Sequence, residues 1–246
     1  MTPVRHAVFT MARPYDRQKN DDHRSPLQPP GAGMVSVIIP TYNEADSIAA
    51  TLGTLGRARG GFEVIVADGS SPDGTRLLVE AVIAGFPRPL RVITTARHRA
   101  LQLNSAASVA SGDAFLFLHA DVTVPAAAIE ALEEALRDAS LIGGNFQIVF
   151  EGASAVERFF TWAYRVRRPF GIYYGDSGIF VRRLERTGRT ACLEPALTVS
   201  GRRWRVQGLL PTLASWVWIQ TLYSLGVPAE YLARRYGPVR NGNSSQ

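Results

Sequence analysis

From Val35 onward the chain alternates apolar, β-branched runs with segments of helical periodicity. The runs are Val35 to Ile39, Phe62 to Ala67, Leu90 to Thr94 and Ala114 to Leu118, and their starts lie 27, 28 and 24 residues apart. That spacing is the one expected of consecutive βα units in a parallel sheet, whose strands are covered on both faces and read as continuous apolar runs. A helix is legible after the fourth run. Ile129, Leu132 and Leu136 form its apolar stripe, Glu130, Glu133, Glu134 and Arg137 its wet side, and Pro125 stands where a first helical residue belongs. The pattern predicts a doubly wound α/β layer with its ligand crevice at the carboxyl ends of the strands.

After Gly144 the texture changes. Phe146 to Phe150 reads as a strand, followed by an aromatic, Arg-rich helix through Phe159, Phe160, Trp162 and Tyr164. Then come a loop at Gly171 to Asp176, a strand at Ile179 to Arg182, another around Cys192 to Val199, and a long apolar segment. These predict mixed sheet edges and covering helices within the same domain, with no internal repeat. Residues 1–33 carry five of the 15 prolines, a polar run from Asp16 to Arg24 and no apolar periodicity. They read as a disordered extension without the apolar stretch of an export signal. Met34 directly precedes the first strand and is the expected native start, and residues 237–246 read as a disordered tail.

With 246 residues, 46% hydrophobic and 20% charged, the composition is globular and excludes disulfide scaffolds and collagen-like repeats. Cys192 is the only cysteine, so neither an intrachain disulfide nor a Cys-based zinc site can form, and a reducing compartment is favoured. The net charge of +6 is uneven: residues 34–150 hold eight bases and twelve acids, residues 151–246 fourteen bases and six acids. Of the 27 bases 26 are arginine. That suits phosphate or carboxylate forks, although a GC-rich genome gives the same bias. No nucleic-acid motif accompanies the basic third, so no nucleic-acid partner is expected.

Three polar clusters fall just past the first, second and fourth strands: Pro40, Thr41, Tyr42, Asn43, Glu44; Asp68, Gly69, Ser70, Ser71, Pro72, Asp73, Gly74, Thr75; and His119, Ala120, Asp121. Each alone reads equally as a βα turn with a helix cap, Asn43, Ser71 and Asp73 being good N-cap types. Three at one sheet edge point to the binding crevice. The first turn lacks G-x-G-x-x-G and no P-loop occurs, which disfavours a dinucleotide site and a Walker-type site. Asp121, at the tip of an apolar strand, is a hard oxygen ligand suited to Mg²⁺ or Mn²⁺. A single carboxylate holds such an ion with substrate phosphates, which implies a diphosphate ligand.

The runs VSVIIPTYNEADSI, EVIVADGSSPDGT, FLFLHADVTVP and YYGDSGIFVRR, in this order and spacing, resemble family 2 glycosyltransferases of the GT-A fold. Small bacterial members associated with radical-SAM or selenium-domain genes are the nearest in pattern. The resemblance covers about residues 34–236 as a single domain. It implies a nucleotide-diphosphate sugar donor, a divalent cation (Mn²⁺ or Mg²⁺) and inversion at the anomeric carbon. By it Pro40, Thr41, Tyr42 and Glu44 line the nucleoside pocket, Asp68 contacts base or ribose, and Asp121 is the metal ligand of a D-x-D whose first position is His119. Arg99, Gln102 and Asn104 match an R-x-x-Q-x-N run, with Leu101 where an arginine is usual. Arg202, Arg203 and Trp204 match an R-R-W element that closes over the diphosphate. The competing readings are a helix start with a solvated arginine for the first, and a surface turn with snorkelling arginines for the second.

One departure bears on catalysis. In these relatives the strand ending in V-R-R is followed by a glycine-containing turn and a Glu-Asp pair whose Asp is the general base. Here Val181, Arg182 and Arg183 run directly into Leu184, Glu185 and Arg186, as though about two dozen residues were deleted. Asp176, within the G-D that precedes the strand, is the nearest substitute base, and Glu185 a weaker one. The alternative is a catalytically impaired nucleotide-binding or membrane-surface module of the same fold.

Val206 to Ala229 runs 24 residues without a charge, with Arg202, Arg203 and Arg205 before it and Arg234 and Arg235 after it. Pro211, Gln220, Gly226 and several hydroxyl residues argue against a span, while Trp216, Trp218 and Tyr223 suit a helix packed on the domain or lying at a membrane surface. With the family resemblance, the expectation is a cytoplasmic glycosyltransferase whose acceptor the sequence does not identify, a lipid-linked acceptor being the one compatible with peripheral contact at the inner face of the membrane.

Overall fold

The computed structural model describes residues 34–152, 154–167, 178–182, 189–228 and 231–232. The expected N-terminal extension, the tail at 237–246 and Asp176 with its loop lie outside the described residues.

Four parallel strands form the first half of one sheet: β1 (Val35–Thr41), β2 (Phe62–Asp68), β3 (Leu90–Thr94) and β4 (Ala114–Phe117), adjacent in the order β3-β2-β1-β4. Helices α1 (Ala45–Gly56), α2 (Thr75–Ile83) and α3 (Arg99–Val109) connect them. Strand alternation sorts the core into two faces. Val35, Val37 and Ile39 pack with Val64 and Val66 against Ile48, Leu52 and Leu55 of α1 and Val79 of α2. Ile38, Ile65, Ala67 and Phe115 turn the other way, onto Leu103 and Ala106 of α3. Both faces are covered, which is why these strands carry no polar alternation.

The second half is mixed. A short β5 (Val122–Thr123) and α4 (Ala128–Ala135) lead to β6 (Leu141–Phe150), α5 (Ala155–Arg167), β7 (Ile179–Arg182) and β8 (Arg189–Val199). β7 is antiparallel to both β4 and β6, and β6 is parallel to β8, giving the complete order β3-β2-β1-β4-β7-β6-β8-β5. Mixed pairing was expected at the sheet edges, and β5 does pair antiparallel with β8 at one edge, but a second antiparallel strand, β7, lies inside the sheet.

Three boundaries differ from the sequence reading. β6 begins at Leu141, five residues before the expected start, because Gly143 and Gly144 are paired strand residues. A Cβ on Gly144 would stand 1.8 Å from the Ala191 carbonyl oxygen and 2.8 Å from the Phe180 ring, so only glycine fits. Pro125 precedes the helix instead of opening it, its carbonyl accepting the Ala128 N–H at 2.9 Å. The C-terminal apolar helix, expected over about 206–229, is divided into α6 (Arg202–Gln207) and α7 (Leu209–Ser224) by Gly208, whose φ of 84° lies in the left-handed region. Among the described residues no helix is long and apolar enough to cross a membrane.

Candidate functional site

The loops that follow β1 and β2 are welded by one carboxylate. Asp68, 1% exposed at the end of β2, accepts the Thr41 hydroxyl at 2.9 Å and the Ser71 hydroxyl at 2.6 Å on one oxygen, and the Ser71 N–H at 2.8 Å on the other. Ser71 Oγ in turn accepts the Asn43 N–H at 3.0 Å. Asn43 and Ser70 have positive φ, 56° and 61°, the only such non-glycine residues among those described. Asparagine tolerates that region and serine does so less readily, so the network holds strained backbone at the crevice.

Of the three N-cap types only Asp73 reaches the start of its own helix; Asn43 and Ser71 do not cap α1 and α2. Capping is exchanged between the loops. Asp73 accepts the Ala45 N–H at the start of α1 (3.1 Å) and both the N–H (3.0 Å) and hydroxyl (2.6 Å) of Thr75 at the start of α2. Thr75 Oγ1 accepts the Glu44 N–H at 2.9 Å. Partial burial of Asp73 opposes ionisation, but the Thr75 hydroxyl and the backbone N–H groups of Ala45, Thr75 and Asp73 itself outweigh it and hold the carboxyl below its usual range.

Gln102 is buried, and its Nε2 donates to the Thr41 carbonyl (2.7 Å) and the Ala67 carbonyl (2.9 Å), tying α3 to the ends of β1 and β2. Two arginines, Arg97 just before α3 and Arg99 at its first position, reach different arms of the crevice. Arg97 lies over the Tyr42 ring, its guanidinium carbon 3.9 Å from the ring centroid. Arg99 Nη2 donates to His119 Nε2 at 2.7 Å. The His119–Asp121 turn is fixed from below by α1, Thr51 Oγ1 donating to the Ala120 carbonyl at 2.7 Å.

The structure therefore brings Thr41, Tyr42, Glu44, Asp68, Arg99, Gln102 and the His119–Asp121 turn to one edge of the sheet. Pro40 is the penultimate residue of β1 in the same register, opposite Ala67. Arg202, Arg203 and Trp204 are residues of α6, and their side chains lie outside what is described. Ser71 and Thr75, named in the second polar cluster but given no binding role, join the site, as does Arg97, which was not singled out. A hydroxyl two or three residues past an aspartate, Ser71 after Asp68 and Thr75 after Asp73, is the signal for the two hydroxyl residues. Arg97 offered none beyond its place after the third strand.

Among the described residues no group of three or more His, Cys, Asp or Glu could hold a metal ion. The turn offers Asp121, while the Nε2 of His119 is engaged by Arg99. One carboxylate fits a divalent ion completed by diphosphate oxygens, not a preformed cage. A groove lined by Ala49, Leu52, Val82, Phe86 and Pro87 opens between α1 and α2 and lacks polar groups able to orient such a ligand.

The glycosyl transferase family 2 model matches residues 36–185. A dolichol-phosphate mannosyltransferase of Pyrococcus furiosus is 34% identical over 113 residues, 43% of this chain and 31% of that protein. The uncharacterized glycosyltransferase YfnE of Bacillus subtilis is 38% identical over 89 residues, 35% of this chain and 23% of that protein. The matches thus span under a third of either relative's length. The mannosyltransferase PcManGT of Pyrobaculum calidifontis, solved in complex with GDP-Man and Mn²⁺, has a TM-score of 0.55 at 20% identity, covering 86% of this chain and 67% of that one. That likeness is one of fold.

Proposed function

The chain belongs to glycosyl transferase family 2 and carries the GT-A fold, a mostly parallel α/β sheet flanked by helices; from that premise we propose that it transfers a sugar from a nucleotide-diphosphate donor to a lipid-linked acceptor with inversion. The observation that carries the donor reading is the convergence of four strand-end loops. Tyr42 offers a ring face, Asp68 a fixed loop, and Arg99 and Asp121 opposite charges on adjoining segments at one sheet edge. Pro40, Thr41, Tyr42, Glu44 and Asp68 form the nucleoside side. Arg99, Gln102, Arg202, Arg203 and Trp204 belong to the diphosphate side, with Gln102 acting through its hold on α3. Asp121 would hold a divalent cation, which when bound supplies Lewis-acid neutralisation of the leaving diphosphate. The acceptor hydroxyl oxygen bonds to the anomeric carbon as the bond from that carbon to the diphosphate oxygen breaks. The hydroxyl proton passes to a carboxylate, a role we assign to Asp176.

The lipid-linked acceptor and peripheral membrane contact are supported by α7. Leu209, Leu213 and Trp216 pack against the core, with Trp216 on the Phe160 ring at 5.8 Å, while Leu210, Val217 and Trp218 are 77%, 65% and 61% exposed. A helix apolar on both sides suits headgroup insertion.

A second reading, a nucleotide-binding module of this fold without turnover, is favoured by one observation. β7 ends at Arg182 and β8 starts at Arg189, so six residues connect them. That connection is too short for the turn and helix that carry the general base in the family.

The test is a thermal-shift panel of UDP, GDP, CDP and dTDP, with and without Mn²⁺, on the wild type and Asp121→Ala. The donor reading expects a metal-dependent rise with one nucleotide, lost in the variant. Donor hydrolysis or transfer that falls in Asp176→Asn supports the enzyme, binding without either supports the module, and no shift with any nucleotide overturns both.

A further inference from the structure

A helix on the outside of a globular domain turns charged and polar residues to water. The outward stripe of α7 is instead Leu210, Ala214, Val217, Trp218 and Thr221, with Leu225 just past its end, all exposed and none charged. Thr221 spends its hydroxyl inside the helix, donating to the Val217 carbonyl at 2.8 Å. α5 continues this surface. Phe159 and Trp162, three residues apart, are 56% and 59% exposed, with ring centroids 6.0 Å apart. Phe159 lies 5.7 Å from Phe160, whose ring meets Trp216 of α7 at 5.8 Å. A line of aromatic rings thus ties the exposed face of α5 to α7. We infer that α5 and α7 form a single docking face for an anionic lipid bilayer, apolar at its centre and basic at its rim. The inference rests on the membrane-surface reading above, which concerns α7 alone and no lipid class.

Charge decides the occupant. Residues 151–246 hold fourteen bases and six acids, yet none of them falls between Val206 and Ala229. The bases flank that stretch: Arg205, exposed, precedes α7, and Arg234 and Arg235 follow it in the sequence, while Arg158 is exposed next to Phe159 on α5. An apolar centre between arginines matches the boundary between acyl chains and phosphate headgroups. Each arginine held near an anionic surface strengthens binding about fivefold. A second copy of the chain docked on this face would set one basic third against another, which opposes association.

The topology puts this face in a useful place. Because β7 is antiparallel to both of its neighbours, β6 and β8 run in the direction of β1 and β4 and end at the sheet edge that carries the crevice. α5 and α6 leave from that edge, bridged where Arg205 Nη2 donates to the Glu151 carboxylate at 3.1 Å. The docking face therefore begins beside the crevice, where an acceptor anchored in the bilayer would arrive.

The experiment is flotation of the full chain with vesicles of phosphatidylcholine alone and of phosphatidylcholine mixed with phosphatidylglycerol. It compares the wild type with Phe159→Ser/Trp162→Ser on α5 and Val217→Ser/Trp218→Ser on α7, thermal melts confirming that each variant is folded. The wild type is expected to bind the anionic vesicles about tenfold or more tighter than the neutral ones, with the preference shrinking in high salt. Each double variant is expected to lose about tenfold or more on the anionic vesicles. Quenching of tryptophan fluorescence by brominated lipid is expected to fall in Trp162→Phe and in Trp218→Phe, which keep the apolar surface and remove the reporter. Equal binding to both vesicles, or full binding by the α5 double variant with no quenching owed to Trp162, overturns the inference and leaves the α7 membrane reading standing. Absence of wild-type binding to either vesicle overturns both. Wild-type dimers in light scattering that the same double variants abolish place a second copy on this face and overturn the inference.

Discussion

Replacing Asp68 separates a structural from a binding role at the crevice. The carboxylate is 1% exposed and receives three hydrogen bonds, from the Thr41 hydroxyl and from the hydroxyl and N–H of Ser71. Asp68→Ala strands Thr41 Oγ1, itself on a residue 1% exposed, and the Ser71 N–H. Each stranded donor costs about 1–3 kcal/mol, and relief of the buried charge returns part of it, so a net loss of about 2–4 kcal/mol is expected. Asp68→Asn keeps the shape. Its oxygen accepts from the Ser71 N–H while its NH₂ donates to the two hydroxyl oxygens, for a loss of about 1 kcal/mol, and Thr41→Val removes one bond for a similar amount. Urea unfolding at constant m measures all three. An alanine variant within about 0.5 kcal/mol of wild type would refute the claim that this network holds the loop, that being the ordinary range for a neutral surface change. The asparagine variant then reports on ligand: near-native stability with lost nucleotide binding marks direct contact between Asp68 and the nucleoside.

Gly144→Ala is expected to unfold or severely destabilise the protein, by about 3 kcal/mol or more, because its Cβ meets the Ala191 carbonyl at 1.8 Å across the β6–β8 pair and overpacking there has no flexible side chain to displace. A soluble variant with native thermal stability overturns the pairing register. Asp73→Asn addresses pH. The folded carboxyl lies below its ordinary value of 3.8, so its stabilisation is fully present above that value and is lost as pH falls through the lower folded one. Melting temperatures of the wild type and Asp73→Asn should differ at neutral pH and converge once pH falls below the lowered value of the folded carboxyl, and a gap that persists in acid contradicts the exchanged caps.

The first half of the fold was legible because its strands are buried on both faces, so each is a bare apolar run that no helix pattern imitates. The second half was blurred by geometry that side-chain chemistry does not encode. Gly143 and Gly144 read as a break, yet the close approach of Ala191 requires glycine at position 144 within a strand. Two-residue β5 is too short for any periodicity. At the site, Thr41, Asp68 and His119–Asp121 were visible as polar residues directly after apolar runs. Asp73 was legible as a cap of α2, but the exchange between loops was not, because Asp73 and Thr75 also serve a helix end 28 and 31 residues away, and local spacing carries no such information. Arg97 was one arginine among 26 until the fold laid it on Tyr42.

The position of β7 inside the sheet has a consequence for synthesis on the ribosome. β4 finds one neighbour, β1, already made, but its other neighbour emerges roughly sixty residues later. At about 5–20 residues per second, β4 waits several seconds with a row of unpaired peptide groups facing outward. The nascent first half is thus a template for another nascent chain, and yield in cells should depend on translation speed between Asp121 and Ile179 as much as on the stability of the finished protein.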